Sequence, residues 1–154
     1  MTKRVYLDAS AAVKLVVSEP ESASVRRLVA GSVTRVSSRV LAVELIRAVG
    51  RASPASLDQA RSLLGVMEFV ELSPEIAEHA ATLEPVGLRS LDAIHLASAL
   101  VLGDELDAFI TYDARQADAA RALGLMVPYP LSEIVDALKW VDDGHARGKA
   151  VITF

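Results

Sequence analysis

Four acidic residues have the surroundings that metal-binding or catalytic carboxylates require. Asp8 and Asp113 each follow a short apolar run, and Glu44 and Asp92 each lie in a longer stretch that is otherwise apolar. Placing carboxylates close together away from water is unfavourable, because desolvation and mutual repulsion both oppose ionisation. A divalent cation such as Mg²⁺ or Mn²⁺ prefers oxygen ligands and offsets both effects. The pattern therefore indicates a cation site, provided that the four residues meet in the fold.

Each acidic residue also has a purely structural explanation. Asp8 and Asp113 could cap the helices that follow them, because a carboxylate oxygen accepts hydrogen bonds from the free N–H groups of a first helical turn. Asp92 stands in a first turn, where negative charge is favourable in any case. Glu44 could be solvated at the edge of its helix or paired with an arginine further along it. Only the common placement of the four residues favours a site over these explanations.

The elements that must position these residues follow from the spacing of apolar residues and helix breakers. Short apolar runs predict five β-strands, at residues 5–7, 33–37, 69–72, 108–111 and 125–127. Apolar segments bounded by Ser, Pro or Gly predict helices near residues 11–17, 20–28, 39–51, 57–66, 74–83, 91–102 and 113–123. We expect the Ser37–Ser38 pair and Ser90 to cap the helices that follow them.

Strands alternate with helices throughout this pattern, and the connections are too long for β-hairpins. Such an order favours an α/β fold with a parallel sheet that is covered by helices on both faces. The carboxyl ends of parallel strands share one edge of the sheet, and ligands of such proteins bind at that edge. Asp8 and Asp113 would meet there, since each comes after a predicted strand.

Composition narrows the function classes. A chain of 154 residues, 52% of them hydrophobic, fits one domain with a sizeable core. The net charge is −4, so a polyanion would have to be met by a local basic patch or by metal ions. The absence of cysteine excludes disulfides, thiolate metal sites and cysteine nucleophiles, and it suits a reducing cytoplasm. No uncharged apolar stretch of about 18 residues occurs, so we expect no membrane span.

Four sequence segments carry the acidic residues in a recognisable order. They read VYLDASAAVK at 5–14, SRVLAVEL at 38–45, RSLDAIHLASA at 89–99 and FITYDARQADAA at 109–120. In order and approximate spacing they resemble the motifs of PIN domains, and most of all those of the VapC-type ribonuclease toxins of prokaryotic toxin–antitoxin pairs. The resemblance covers residues 4 to about 127, which is most of the chain.

The resemblance implies an architecture and an activity. The implied fold is a PIN-like three-layer α/β/α sandwich with a five-stranded parallel sheet in the order 3-2-1-4-5. The implied activity is cleavage of RNA phosphodiester bonds with Mg²⁺ or Mn²⁺ as cofactor, and the matching acidic cluster consists of Asp8, Glu44, Asp92 and Asp113. A bound cation would reverse the local sign of charge and lower the pKa of a coordinated water, so that an anionic phosphodiester could be attacked.

Individual roles within this cluster are hypotheses. Asp8 and Asp92 are the leading candidates for direct metal ligands, and the other two acids would act partly through waters or hold a second ion. Ser10 and Thr111 match the small hydroxyl positions that the family has beside its acids, where they would orient a ligand or a water. Asp118 is an outer candidate that some relatives would use.

Three arginines and one histidine near the motifs are weaker candidates for functional roles. Arg39, Arg89 and Arg115 stand beside acidic motifs and could bind phosphate oxygens in bidentate fashion, although pairing with a carboxylate or solvation explains them equally well. His95 follows Asp92 by three residues and shares its helix side, so it could be a ligand or a proton relay. A histidine in so apolar a helix is more often a hydrogen-bonded core residue, and we favour that interpretation.

The carboxyl-terminal segment departs from the family pattern. We predict a PIN-like nuclease domain over residues 1–130 and an extension over 131–154 that packs on the same domain or on a neighbouring subunit. The extension resembles the carboxyl end of medium-chain zinc-type dehydrogenases and quinone reductases, but it contains no catalytic motif. We expect a helix near 132–142 and a strand at 150–153 within it.

Partners and rival functions complete the predictions. Residues 11–17 and 41–49 are richer in apolar side chains than one buried helix face requires. They could be fully covered in the core, whereas the resemblance implies that they form a homodimer and bind a cognate antitoxin. Two other functions stay open. One is a catalytically silent PIN-like binding module, and the other is a phosphate-transferring hydrolase with Asp8 as nucleophile, which usually carries a second acid where this chain has Ser10.

Overall fold

The computed structural model describes residues 2–126 and 149–153, which contain six β-strands and seven α-helices. The strands are β1 (Lys3–Leu7), β2 (Val33–Ser38), β3 (Glu68–Val70), β4 (Ala108–Thr111), β5 (Leu125–Met126) and β6 (Lys149–Thr153). The helices are α1 (Ala9–Val13), α2 (Ser22–Leu28), α3 (Leu41–Ala52), α4 (Leu57–Gly65), α5 (Pro74–Thr82), α6 (Ser90–Val101) and α7 (Ala114–Ala122). The predicted α/β class is confirmed. Within the described ranges, no helix has both the length and the apolar character needed to cross a membrane.

The described strands form one sheet in the order β3-β2-β1-β4-β6-β5. Every pairing is parallel, so the parallel sheet and the order 3-2-1-4 predicted for the first four strands are confirmed. The fifth predicted strand, β5, does not lie next to β4, because β6 is inserted between the two. β6 pairs along the whole of β4, whereas β5 is only 2 residues long and would offer β4 a short ladder.

The strand predicted at residues 150–153 of the extension is therefore present as β6, and it lies in the same sheet as β1 to β4. Its register pairs Ala108 with Ala150 and Thr111 with Thr153. The extension thus adds a strand to the sheet beside β4 through backbone hydrogen bonds. The helix predicted near residues 132–142 falls outside the described residues.

Both faces of the sheet are covered by helices. Val5 and Leu7 of β1 pack in one core cluster with residues of α1, α2, α3 and α4. Tyr6, which lies between them in sequence, packs in a second cluster with residues of α5, α6 and α7. Successive residues of a strand point to opposite faces, so a strand with both faces buried is apolar throughout. The expected three-layer sandwich is present.

The two predicted aspartate caps exist. Asp8 is the N-cap of α1 and Asp113 is the N-cap of α7, and each side chain accepts hydrogen bonds from backbone N–H groups of its first turn. Asp8 comes directly after β1, and only Tyr112 separates Asp113 from β4. Capping therefore holds both carboxylates at the carboxyl edge of the sheet, so the structural and functional explanations of these residues are compatible.

The expected serine caps are wrong. Ser37 and Ser38 are buried in β2, where their polar groups form hydrogen bonds to β1. The strand continues through both serines, so α3 begins after them without a side-chain cap. Ser90 is the first residue of α6, and the preceding N-cap position has no side-chain hydrogen bond.

Candidate active site

The four predicted acids lie at the carboxyl edge of the sheet, at or near the beginnings of helices. Asp8 and Asp113 are the N-caps of α1 and α7, and Glu44 and Asp92 lie in the first turns of α3 and α6. Asp92 and Asp113 line a surface cleft, so we call them the cleft pair. Asp8 and Glu44 lie against neighbouring side chains that form hydrogen bonds to them, and we call them the inner pair.

The Asp8 carboxylate is fixed by three donors. Its Oδ1 accepts hydrogen bonds from the Ser10 hydroxyl at 2.7 Å and the Ala11 N–H at 2.9 Å, and its Oδ2 accepts one from the Thr111 hydroxyl at 2.5 Å. The residue is only 3% exposed. Burial raises the pKa of Asp8, and the hydrogen bonds from Thr111, Ser10 and the Ala11 N–H offset that rise only in part. A positive partner at this carboxylate would therefore stabilise its ionised form.

Ser10 and Thr111 lie where the family resemblance placed them, beside Asp8. The Ser10 Oγ also accepts a hydrogen bond from the Tyr112 N–H at 2.8 Å, and the Thr111 Oγ1 accepts one from the Asp113 N–H at 3.0 Å. The two hydroxyl oxygens are 3.4 Å apart. These bonds join the end of β4 to the start of α1, so the position of Asp8 is coupled to that of Asp113.

Glu44, the second member of the inner pair, contacts a buried histidine. Its Oε2 lies 2.6 Å from the Nε2 of His95, which is 1% exposed. The other ring nitrogen, Nδ1, lies 2.8 Å from the hydroxyl of Tyr6. Burial raises the pKa of Tyr6 well above its ordinary value, so the hydroxyl keeps its hydrogen. His95 is thus a hydrogen-bonded core residue, as its apolar helix favoured, and it also touches the acidic site.

Asp92 faces the cleft with its carboxylate open. The residue is partly buried, and in residues 2–126 no donor forms a hydrogen bond to that carboxylate. Burial raises the pKa of Asp92, and the negative charges of Asp113 and Asp8 raise it further, while the Arg89 guanidinium lowers it. The three carboxylates are therefore close enough to repel one another, which is typical of functional sites.

Sequence reasoning missed Gln116, which connects the two pairs. This side chain is completely buried, and its backbone N–H donates to the Asp113 Oδ1 at 3.2 Å. Its Nε2 donates to the Asp92 carbonyl at 3.4 Å, and its Oε1 lies 3.2 Å from the Thr111 hydroxyl. The available signal was an amide on the alanine-rich face of a helix, since a buried amide requires hydrogen-bond partners. Sequence reasoning also missed Tyr6. The available signal was a tyrosine inside a buried strand, because its hydroxyl needs a hydrogen-bond partner.

A cleft of about 690 Å³ opens beside the cleft pair. Arg89 and Arg115 line it, and neither has a carboxylate within salt-bridge distance among the described residues. Arg89 is close enough to Asp92 to lower the pKa of that carboxyl group. Within the described residues, the cleft thus combines the open Asp92 carboxylate with two guanidinium groups that form no salt bridge.

Arg39 and Asp118 both form ion pairs with neighbouring side chains. The Arg39 guanidinium binds Glu71, with its Nε 2.9 Å from a carboxylate oxygen, and it lies over the ring of Phe69. It is therefore engaged away from the cleft. Asp118 lines the cleft, but its side chain is 76% exposed and pairs with Arg121 at 3.1 Å, which places it at the rim.

Comparison with known proteins identifies the family. The family model for the PIN domain matches residues 5–122, which include both acidic pairs and the strands β2 to β4. The chain belongs to the PIN-domain family. The resemblance that the four motifs carry is thereby confirmed, and the acidic edge of the sheet lies inside the matched region.

Named relatives assign this PIN domain to the VapC type. Ribonuclease VapC46 of Mycobacterium tuberculosis is 40% identical over 126 residues, which cover 82% of this chain and 97% of that protein. Ribonuclease VapC47 of the same species is 37% identical over 131 residues, which cover 82% of this chain and 96% of that protein. Identity and coverage at this level extend over the whole of each relative, so the VapC assignment is confirmed.

Solved structures share the fold of this PIN domain. Mycobacterium tuberculosis VapC20, described as a toxin that cleaves the sarcin–ricin loop, has a TM-score of 0.64 at 14% identity. The matched region covers 75% of this chain and 94% of the VapC20 chain. A chain of a toxin–antitoxin complex from Klebsiella pneumoniae has a TM-score of 0.57 at 18% identity. The matched region covers 73% of this chain and 88% of that chain. At such low identities the likeness concerns the fold alone.

The donor set of this PIN domain fits a hard divalent cation. In the described part of the chain, no group of three or more His, Asp or Glu side chains is arranged to hold a metal ion. Mg²⁺, however, is usually bound through only one or two carboxylates and keeps several waters. Asp8 and Asp92 meet that requirement, because Oδ2 of Asp8 accepts one hydrogen bond only and the Asp92 carboxylate accepts none from the described residues.

Proposed function

We propose that this PIN domain is a Mg²⁺- or Mn²⁺-dependent endoribonuclease and the toxin component of a toxin–antitoxin pair. One observation carries the proposal: four carboxylates from separate elements share one edge of the sheet, beside a cleft lined by two arginines that form no salt bridge with the described residues. Relatives at 36% to 40% identity are named ribonucleases, which supports RNA as the substrate.

Asp8 and Asp92 are the proposed direct ligands of the cation, and Glu44 and Asp113 would act through waters or at a second ion. When bound, the cation would lower the pKa of a water in the site and offset the charge of the phosphodiester. The hydroxyls of Ser10 and Thr111 keep Asp8 in one orientation. A carboxylate that cannot rotate loses little entropy on binding, so this arrangement favours the cation.

Arg89 and Arg115 are the proposed contacts to the RNA backbone. A guanidinium presents paired N–H donors that match phosphate oxygens, and both arginines face the cleft beside the acids. The described residues that line the cleft include no aromatic side chain, so this surface offers no platform for stacking bases. RNA would therefore be selected through backbone contacts and shape.

A cognate antitoxin is the proposed protein partner, and the RNA substrate accords with a cytoplasmic location. A solved fold relative is described as a toxin–antitoxin complex, which supports an antitoxin here. Of the two apolar segments considered for partners, α1 buries Ala11 and Ala12 in the core, whereas α3 leaves Val43 63% exposed. We propose that this exposed side of α3 contributes to homodimer and antitoxin contacts.

Light scattering tests the partner proposal. The parent chain should have the mass of a dimer, and mixing it with the neighbouring gene product should give a larger complex with reduced RNA cleavage. Val43→Glu should weaken these associations, because it places a charge in an apolar contact. An unchanged mass and undiminished cleavage after mixing would remove the antitoxin from the proposal.

Incubation with total RNA tests the nuclease. We expect cleavage in Mg²⁺ or Mn²⁺, no cleavage in chelator, and at least about 100-fold slower cleavage by Asp92→Asn, which removes a direct ligand. Asp58→Asn is the matched control, since Asp58 is almost fully exposed on α4 and pairs only with Arg61 of the same helix. This control should cleave at the parent rate.

Each rival function has its own outcome. Full cleavage by folded Asp92→Asn, or cleavage in chelator, would contradict the metal-dependent nuclease. Calorimetric Mn²⁺ binding without cleavage of any RNA would favour the catalytically silent binding module. Trapping of a beryllium fluoride adduct at Asp8 would favour the phosphate-transferring hydrolase.

A further inference from the structure

A continuous chain of hydrogen bonds leads from the backbone of β2 through the core to Glu44. The Ser38 N–H lies 2.9 Å from the Tyr6 hydroxyl, which lies 2.8 Å from the Nδ1 of His95. The His95 Nε2 lies 2.6 Å from the Oε2 of Glu44. Tyr6 and His95 are at most 1% exposed, so water does not compete for these bonds.

The backbone end of this chain fixes the direction of its first bond. The Ser38 N–H can only donate, so the Tyr6 oxygen is its acceptor. The single hydrogen of the Tyr6 hydroxyl is then available for the His95 Nδ1, and we infer that this nitrogen accepts it. A neutral imidazole with an accepting Nδ1 carries its hydrogen on Nε2. His95 therefore donates from Nε2 to Glu44.

Ring packing holds this arrangement in place. The Tyr6 ring stacks on Phe109 with 5.0 Å between centroids and 9° between planes. The His95 ring meets Tyr6 edge to face, at 5.8 Å and 86°. His95 also lies one helical turn from Asp92 on α6, so its bond to Glu44 ties the inner pair to the helix that carries Asp92 of the cleft pair.

We propose that Tyr6 and His95 are positioning residues that hold Glu44 in one orientation toward the cation of the proposed function. His95 engages Oε2 of Glu44, which leaves Oε1 for the cation or for a water bound to it. This proposal rests on the proposed function, because Glu44 needs a fixed orientation only if it serves the site. Groups that orient a metal ligand through hydrogen bonds commonly affect metal affinity by about 10- to 100-fold.

Three variants separate positioning from packing, with Mn²⁺ affinity measured by calorimetry on the full chain. His95→Gln keeps an N–H donor where the imidazole Nε2 stood, whereas His95→Leu keeps apolar volume without a donor. Tyr6→Phe keeps the stacked ring and removes only the hydroxyl that fixes the tautomer. We expect His95→Gln to bind Mn²⁺ within about 3-fold of the parent, and Tyr6→Phe and His95→Leu to bind at least about 10-fold more weakly.

The histidine tautomer supplies a readout that needs neither metal nor activity. Long-range ¹H–¹⁵N correlation spectra of the metal-free parent should show His95 as the Nε2–H tautomer, with its signals identified by their absence in His95→Gln. Tyr6→Phe should introduce the Nδ1–H form, because Nδ1 loses its donor.

The outcomes distinguish this role from the function on which it rests. A parent spectrum with the ring hydrogen on Nδ1, or equal Mn²⁺ affinities for His95→Leu and His95→Gln, would overturn the positioning role while leaving the nuclease proposal intact. A parent protein that binds no Mn²⁺ would overturn the proposed function and the positioning role together, even with the Nε2–H tautomer present.

Discussion

The inner pair and the cleft pair are built in different ways. Asp8 and Glu44 are held by side-chain donors from neighbouring elements, and Asp8 is almost completely buried. Asp92 has an open carboxylate, and Asp113 uses one oxygen to cap α7. One half of the site is therefore rigid before any ligand arrives, and the other half is accessible from the cleft.

This difference suggests a division of labour within the proposed function. A carboxylate pair that is held by hydrogen bonds from the fold provides a fixed reference for a cation, because its orientation is already set. Carboxylates that line a cleft can exchange water for ligands at low cost, since they are already partly solvated. Gln116 links the two halves through Asp92, Asp113 and Thr111, so they cannot move independently without breaking buried hydrogen bonds.

The largest expected effect concerns the cation, which needs both pairs. Saturating the parent with Mn²⁺ at about 100 times its Kd should stabilise the fold by about 2.7 kcal/mol. Asp8→Asn and Asp92→Asn should each lose most of this gain, because each removes one of the two proposed direct ligands. Thermal unfolding with Mn²⁺ and with chelator measures the gain, and Asp58→Asn should retain it. A full Mn²⁺ effect in either site variant would show that one pair suffices.

A smaller effect is expected from the arginines of the cleft. Arg89→Ala and Arg115→Ala should each raise KM for RNA by about 10-fold, with kcat changed less, because each removes a bidentate phosphate contact. Arg39→Ala is the matched control, since that guanidinium is bound to Glu71 away from the cleft. Steady-state cleavage of one defined RNA measures both constants. Equal KM values for all three variants would remove the cleft arginines from the RNA contact.

In the metal-free protein, thermal stability should depend on the ionisation of Asp8, a member of the inner pair. Because burial raises the pKa of Asp8, the folded state binds that proton more tightly than the unfolded state does. Its contribution to stability is complete below the ordinary pKa of 3.8 and is lost as pH rises through the raised value. Asp8→Asn removes this loss and keeps a capping oxygen, so it should melt a few degrees higher than the parent at pH 7.

The same measurement compares the two pairs. The gain from Asp8→Asn should shrink as pH is lowered, and Asp92→Asn should show a smaller gain at pH 7 because Asp92 is partly solvated. Thermal unfolding in chelator between acid and neutral pH records both curves. A lower melting temperature for Asp8→Asn at pH 7 would mean that the hydrogen bonds to its carboxylate outweigh the desolvation of its charge.

The smallest expected effect belongs to Asp118. Its side chain is largely exposed and paired with Arg121, so Asp118→Asn should change the rate of RNA cleavage by less than about 3-fold. Cleavage of the same defined RNA at saturating Mn²⁺ measures it. A loss comparable with that of Asp92→Asn would extend the cleft pair to a third acidic residue.

The strand-end acids could be predicted because their position depends on local pattern and simple topology. An apolar run followed by an aspartate, in a chain that alternates strands with helices, places Asp8 and Asp113 at one edge of a parallel sheet. Their caps were also predictable, since the residue before a helix commonly supplies an acceptor. Glu44 and Asp92 were candidates because they are acids in otherwise apolar stretches, and the resemblance to the PIN family then grouped all four acids in one cluster.

Partnerships between distant side chains could not be predicted. Whether Arg39 binds RNA or Glu71 depends on how β3 pairs with β2. The roles of Tyr6 and Gln116 depend on contacts between elements far apart in sequence. Similarly, β5 and β6 both follow β4 in the chain, and the longer strand, β6, is the one that pairs with it. The spacing of apolar residues carries no information on such choices.

The place of β6 has a consequence for how the protein is made. β4, which leads to Thr111 and Asp113, has β6 as its neighbour on the side away from β1, and β6 comes from residues 149–153. During synthesis that side of β4 stays without its strand until these late residues have left the ribosome. A nascent chain therefore acquires the strand beside β4 only after residues 149–153 have been synthesised, so the sheet next to Thr111 and Asp113 is completed well after these residues themselves have been made.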